Sequence, residues 1–212
     1  MSDLFFNMTT ILIIVTVIIS FMAFSNRALT SKLIFNPYMI QEHRQWYRFI
    51  TSGFIHADPV HLFVNMFVLY SFGGVVEQYF NIYFGDRAYY YLFLLYFGGM
   101  AVSVLPTFKK NKFNPAYNAL GASGAVAAIV FSFILFEPLQ KIYLFAMIPV
   151  PAILFGVLYV VYCQYMDKRG GDNINHSAHL WGSVFGFVFT VLLDPPVFLS
   201  FLQKLIYFRN GL

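Results

Sequence analysis

The sequence predicts an all-α membrane protein, a bundle of six transmembrane helices with a long loop after the first. Three observations predict it. Of 212 residues, 59% are hydrophobic and only 10% are charged, more apolar surface than a soluble domain can hide. Uncharged runs near the roughly 20 residues that a spanning helix needs recur along the whole chain. No internal repeat, low-complexity tract or charged block marks off a soluble part, so residues 1–212 read as one membrane domain.

The first span is Leu4 to Asn26, uncharged and rich in β-branched residues. It lacks the basic start and small-residue cleavage site of a signal peptide and is expected to be retained. Residues 27–58 form the long connection, carrying Arg27, Lys32, Glu42, Arg44 and Arg48 among aromatics. Pro59 to Val76 is the second span, opened by a proline that suits a first helical turn. Ala88 to Phe108, Phe113 to Phe136, Ile142 to Met166 and Asn173 to Leu193 follow as the third to sixth. Residues 197–212 are an apolar tail too short to span and suited to the membrane interface.

A single cysteine, Cys163, excludes an intrachain disulfide and a thiolate metal cluster. The net charge of +4 comes from cations scattered through loops, which argues for anchoring beside the bilayer and against nucleic acid. Six spans put both termini on one side. With cytoplasmic termini, only Arg87, Lys141, Lys204 and Arg209 lie inside, so the excess of Lys and Arg favours the opposite orientation.

Ionisable and strongly polar groups within spans are expensive and are functional candidates. Three clusters qualify. In HADPVHLFVN, residues 56–65, His61 and Asn65 are four apart on one helix face. Gly121-Ala122-Ser123-Gly124 opens the fourth span, and His179 precedes Gly182 and Gly186 on the sixth. Singly, each cluster reads as interhelical hydrogen bonding or close packing. Together they supply a nucleophile, a base and two hydrogen-bond donors, the parts of an acyl-transfer site.

These motifs resemble those of the rhomboid intramembrane serine proteases in their six-span bacterial form. Gly121-Ala122-Ser123-Gly124 matches the family's GxSG, His61 to Asn65 its HxxxN, and Ala178 to Gly186 its AHxxGxxxG. Trp46 and Arg48 resemble its W-R element with Tyr47 inserted, and Gly73 to Glu77 resembles GxxxE. One departure is Ala127, at the position one turn after the nucleophile where some rhomboids stack an aromatic ring on the histidine. A tyrosine elsewhere is the expected substitute.

The resemblance implies a Ser123–His179 dyad cutting single-span membrane proteins. The oxyanion would be met by the Ser123 backbone N–H and the His61 and Asn65 side chains, with His56 a supporting donor at the rim. Gly121, Gly124 and Gly182 would let the helices approach. It also implies a cavity open to the exterior and cytoplasmic termini in a bacterial inner membrane, against the Lys/Arg count. The first-loop arginines are then expected to pair with protein groups such as Glu42. Partners are transmembrane substrates and the lipid bilayer. No metal or organic cofactor is called for.

Other chemistries lack their residues. No HExxH helix is present for a zinc protease, and His176 with His179, three residues apart, could hold a metal but is expected to lack the further thiolates or carboxylates of a metal site. Phe84-Gly85-Asp86 lacks the first glycine of an aspartyl protease's GxGD. Duplicated halves and broken helices of a transporter are not found. The main rival is a rhomboid-like protein that binds membrane helices without cutting them; such relatives typically lose the serine or the histidine.

Overall fold

The computed structural model describes residues 7–144 and 147–210. The described chain is mostly helical. α1 (Met8–Phe24) begins on the Asn7 side chain, which accepts the Thr10 N–H at 2.8 Å. α2 (Arg27–Leu33), α3 (Pro37–His43) and α4 (Arg48–Thr51) fold the long loop into short helices. α5 (Pro59–Phe84) runs well beyond the expected Val76 and ends at Gly85, whose φ of +53° lets the chain reverse. α6 (Ala88–Ser103) breaks just before Pro106, and α7 (Leu105–Asn111) follows.

The expected fourth span, Phe113 to Phe136, is helical only in its second half: α8 is Ser123–Phe136, and residues 113–122 are an irregular strap. The expected fifth, Ile142 to Met166, is also corrected. Its start instead holds the antiparallel strands β1 (Lys141–Leu144) and β2 (Ile148–Pro151), where prolines at 149 and 151 oppose helix. The helix proper, α9, is Ala152–Arg169. α10 (His176–Leu193) follows, and the tail forms α11 (Pro195–Asn210). Residues 4–6 of the first expected span and 211–212 of the tail lie outside the described residues.

Among the described residues, the helical stretch Pro59–Asn111 and α10 are long and apolar enough to cross a membrane, while α1 and α8 are shorter apolar helices. α8 is the axis of the bundle. Every residue from Gly124 to Phe136 is buried, as expected of a helix apolar all round. α10, α5 and α6 pack around it.

The α8–α10 contact is built from small residues at four-residue spacing, as close helix packing in a bilayer requires. A Cβ on Gly182 would strike the Gly124 carbonyl oxygen and lie 3.0 Å from its Cα. One on Gly186 would lie 2.5 Å from the Ala128 Cα. One turn further, the Ser132 and Thr190 hydroxyls hydrogen-bond at 2.8 Å.

The far end is tied by charge. Glu77 of α5, 3% exposed, accepts from the Met8 N–H at 2.8 Å and from the N–H and hydroxyl of Thr9 at 3.0 and 2.6 Å. A carboxylate thus meets the positive end of α1. Gly73, one turn earlier, makes room for it, since its Cβ would lie 2.7 Å from Thr9 Cγ2. The Lys204 ammonium on α11 donates to the Phe136 carbonyl at 2.5 Å, capping α8. The tail is therefore packed against the bundle, with Val197 and Phe201 buried.

Candidate functional site

Ser123 is the first residue of α8, and the strap before it is held from the long loop. Phe35 and Ala119 exchange two backbone hydrogen bonds at 3.0 Å, and the Gly121 N–H donates to the Ser52 carbonyl at 2.9 Å. Asn36 Nδ2 donates to the Pro115 carbonyl and to Asn118 Oδ1, each at 3.1 Å. The loop is shaped in turn by Arg48, 4% exposed. Its guanidinium donates to the Ser31 and Ile34 carbonyls at the end of α2, at 2.8 and 2.6 Å, and to Gln45 at 2.7 Å. Orphan helix-end carbonyls, rather than Glu42, are its partners.

Gly121 takes a φ of +115°, which L side chains rarely adopt, and a Cβ there would lie 2.7 Å from His61 Cε1 and 2.9 Å from Nε2. The strap can thus lie flush on the His61 imidazole. His61 sits in the first turn of α5, its N–H bound to Asp58 Oδ1 at 2.8 Å. The Ala57 N–H donates to His61 Nδ1 at 3.4 Å. That leaves the ring proton on Nε2, the nitrogen facing Gly121. Asn65, 6% exposed, donates one amide N–H to the His61 carbonyl at 2.9 Å and keeps a second.

His56 differs from the expected rim donor. Ser20 Oγ on α1 lies 2.9 Å from both the Phe54 carbonyl and His56 Nδ1. The carbonyl can only accept, so Ser20 donates there and receives the proton on Nδ1. His56 Nε2 is then an acceptor, and the Ala122 N–H donates to it at 3.3 Å. The 3%-exposed ring links α1 to the residue before the serine. Burial, with the nearby His61 adding and Asp58 opposing, pulls its pKa down to about 3.

His179 lies in the first turn of α10, whose N-cap is Asn175; Asn175 Oδ1 accepts the Ala178 N–H and the Thr107 hydroxyl, both at 3.1 Å. The serine and histidine segments meet through their neighbours. A Cβ on Gly124 would lie 3.6 Å from the Ala178 carbonyl oxygen and 2.7 Å from Ser103 Cβ. The His179 ring stacks on Tyr159 of α9, centroids 6.2 Å apart and planes at 14°. Tyr159 supplies the aromatic ring that Ala127, buried within α8, does not.

Sequence reasoning missed Tyr159, Ser20, Cys163 and Asp172. Asp172 was the most legible, lying four residues before His176, whose Nε2 it meets at 2.9 Å. Cys163 and Tyr159 are four apart on one face of α9, but nothing in the chain says that this face meets His179.

A cavity of about 30 Å³ opens behind the serine, bordered by Ser103, Gly121, Ser123 and Asn175; a water needs roughly 10–15 Å³ on this measure. A wider cleft of about 380 Å³ lies between the α1–α2 junction and residues 118 and 120 of the strap, with His56 on its wall.

The apolar helical bundle with polar clusters gathered at one end defines a membrane-embedded α-helical protein. Residues 43–195 match the family model described as the Rhomboid domain, more than half of the chain; the chain belongs to the rhomboid family. It is 30% identical over 171 residues to "RHOMBOID-like protein 12, mitochondrial" of Arabidopsis thaliana, covering 74% of this chain and 50% of that protein. It is 26% identical over 172 residues to "Rhomboid-like protein 11, chloroplastic" of the same plant, covering 74% and 56%. The chain spans about half the length of these curated relatives.

Proposed function

We propose that the protein is an intramembrane serine endopeptidase that cleaves single-span membrane proteins with Ser123 as nucleophile and His179 as general base. One observation carries the reading. Residues adjoining Ser123 and His179 touch where Gly124 faces Ala178 and Gly182, while the Nε2–H side of His61 lies against Gly121, two residues from the serine. The close approach of these three segments supports a reading in which a base, a nucleophile and a donor act together.

In this mechanism His179 takes the Ser123 proton as Oγ attacks the scissile carbonyl. The tetrahedral oxyanion accepts from the Ser123 backbone N–H, His61 Nε2–H and the free amide proton of Asn65. His179 returns the proton to the leaving amine, and a water admitted through the polar end hydrolyses the acyl-enzyme. Tyr159 holds the imidazole plane in the place of an acidic third residue, so the site works as a dyad. The cleft beside the strap suits an unwound stretch of substrate backbone. Six membrane crossings, made by α1, α5, α6, α8, α9 and α10, complete the reading, with both termini cytoplasmic. The expected bilayer is a bacterial inner membrane, whereas the two relatives carry organellar names.

The test is reconstitution in liposomes with a tagged single-span substrate containing a helix-breaking glycine, beside Ser123→Ala. Cleavage by the parent alone supports the dyad. Equal cleavage by both removes Ser123 from the mechanism. Folded protein that binds substrates without cutting them is the outcome that favours a silent rhomboid-like protein.

A further inference from the structure

At the junction of α9 and α10, Cys163, His176 and His179 each offer a ligand atom, all within 4.8 Å of one another. Cys163 is fully buried and His176 is 3% exposed. A tetrahedral zinc sets its nitrogen and sulfur ligands roughly 3.3–3.8 Å apart, so the three atoms need to close by only about 1 Å.

A second observation points to a ligand. His176 Nε2 meets Asp172 Oδ2 at 2.9 Å, which puts the ring proton on Nε2. The opposite nitrogen, Nδ1, is buried without a hydrogen-bond partner. A carboxylate that fixes one imidazole nitrogen and leaves the other's lone pair free is the arrangement found behind metal-bound histidines. The orphan lone pair is also costly unless something occupies it.

We propose that Cys163, His176 and His179 form an inhibitory site for a thiophilic divalent cation of the zinc class. One thiolate and two imidazoles suit zinc, with a fourth position left for water. Binding releases the Cys163 proton. Occupancy and proteolysis exclude each other. A neutral imidazole has one lone pair; once a cation takes it, the other nitrogen of His179 is an N–H and cannot accept the Ser123 proton, whichever nitrogen is used. The inhibitory half rests on the protease reading, whereas the binding half stands without it.

The test uses the full chain in detergent, stripped with a chelator and titrated with Co²⁺, then with Zn²⁺ against a fluorescent chelator. The expected result is one equivalent of Co²⁺ with a near-ultraviolet thiolate charge-transfer band that Zn²⁺ displaces. Cys163→Ala loses the band. Asp172→Asn, a surface change that leaves the three ligands in place, keeps the band but weakens zinc binding by about 10–100-fold. No band in the parent, an equal band in Cys163→Ala, or unchanged affinity in Asp172→Asn overturns the site. On a cleaved substrate, one equivalent of Zn²⁺ stops the parent, and Cys163→Ala resists it. Tight binding with cleavage unaffected overturns the inhibitory half alone. Because the cobalt spectrum needs no substrate, a protein that never cleaves sinks the protease reading and leaves the metal site to be judged by its band.

Discussion

Tyr159 of α9 and His179 of α10 stack with an offset, their centroids 6.2 Å and their ring planes 14° apart. Tyr159 is itself stacked on Phe155 at 5.6 Å and packed against Phe131 at 6.2 Å, so the histidine's orientation is inherited from a run of aromatic rings outside its own helix. An aromatic pair contributes about 0.5–1.5 kcal/mol beyond its buried area. Tyr159→Phe should keep cleavage near the parent level. Tyr159→Ala should lower kcat by about 2–12-fold with KM little changed. A kcat loss as large in Tyr159→Phe would assign the effect to the hydroxyl instead.

His61 and Asn65 are predicted to act in the transition state. Replacing either by Ala should reduce kcat by about 10²–10³-fold, corresponding to about 2.7–4 kcal/mol per lost donor, with substrate binding nearly unchanged. A loss confined to KM would show that they hold the substrate rather than the oxyanion.

The helix contact gives a stability prediction with an internal control. Gly186→Ala drives a methyl into the Ala128 backbone and should cost about 1–3 kcal/mol, read as a lower unfolding midpoint together with lost cleavage. Gly74→Ala places the same methyl where no atom lies within 4 Å. It should be neutral or stabilising by about 0.5–1 kcal/mol, because alanine favours the helix. Equal losses in the two variants would sink the packing account.

His56 gives a pH dependence. Its unfolded pKa is 6.5 and its folded value about 3, so between these the unfolded chain binds the extra proton. Stability therefore falls as pH drops from 6.5 toward 3 and is insensitive to this group above 6.5. Denaturation midpoints of the parent and His56→Asn, compared across that range, should converge on acidification. Parallel curves would show that His56 does not set the acid limb.

Much of this site was legible because its motifs are local. Ser123 with its glycines, His61 with Asn65 one turn on, and His179 ahead of Gly182 each declare a helix face by spacing alone. Helix ends were less legible. An uncharged run does not distinguish strap from helix, and residues 113–122 read as span although a φ of +115° at Gly121 places them outside one. Contacts between faces were not legible at all. Ser20 under His56, and Tyr159 with Cys163 beside His179, depend on how α1 and α9 are rotated, which apolar periodicity does not encode when a helix is hydrophobic on most sides. Arg48 shows the same limit, since carbonyl partners leave no mark in a sequence.

The three small-residue levels between α8 and α10 have a mechanical consequence. Backbone nests in backbone at Gly124–Gly182 and Ala128–Gly186, with the Ser132–Thr190 hydroxyl pair behind. Sliding either rod by part of a turn would push a side chain into a carbonyl, and the next matching register is a full pitch of about 5.4 Å away. The two rods are therefore notched into one body, which on the proposed reading keeps the segments of Ser123 and His179 in a fixed relation. Whatever widens to admit a substrate must be a part not notched into that body: α5 with its two donors, or the hairpin and α9 with their tyrosine. On the proposed protease reading, opening would then change how well the oxyanion is met or the base is aimed, while the reacting pair stays in register.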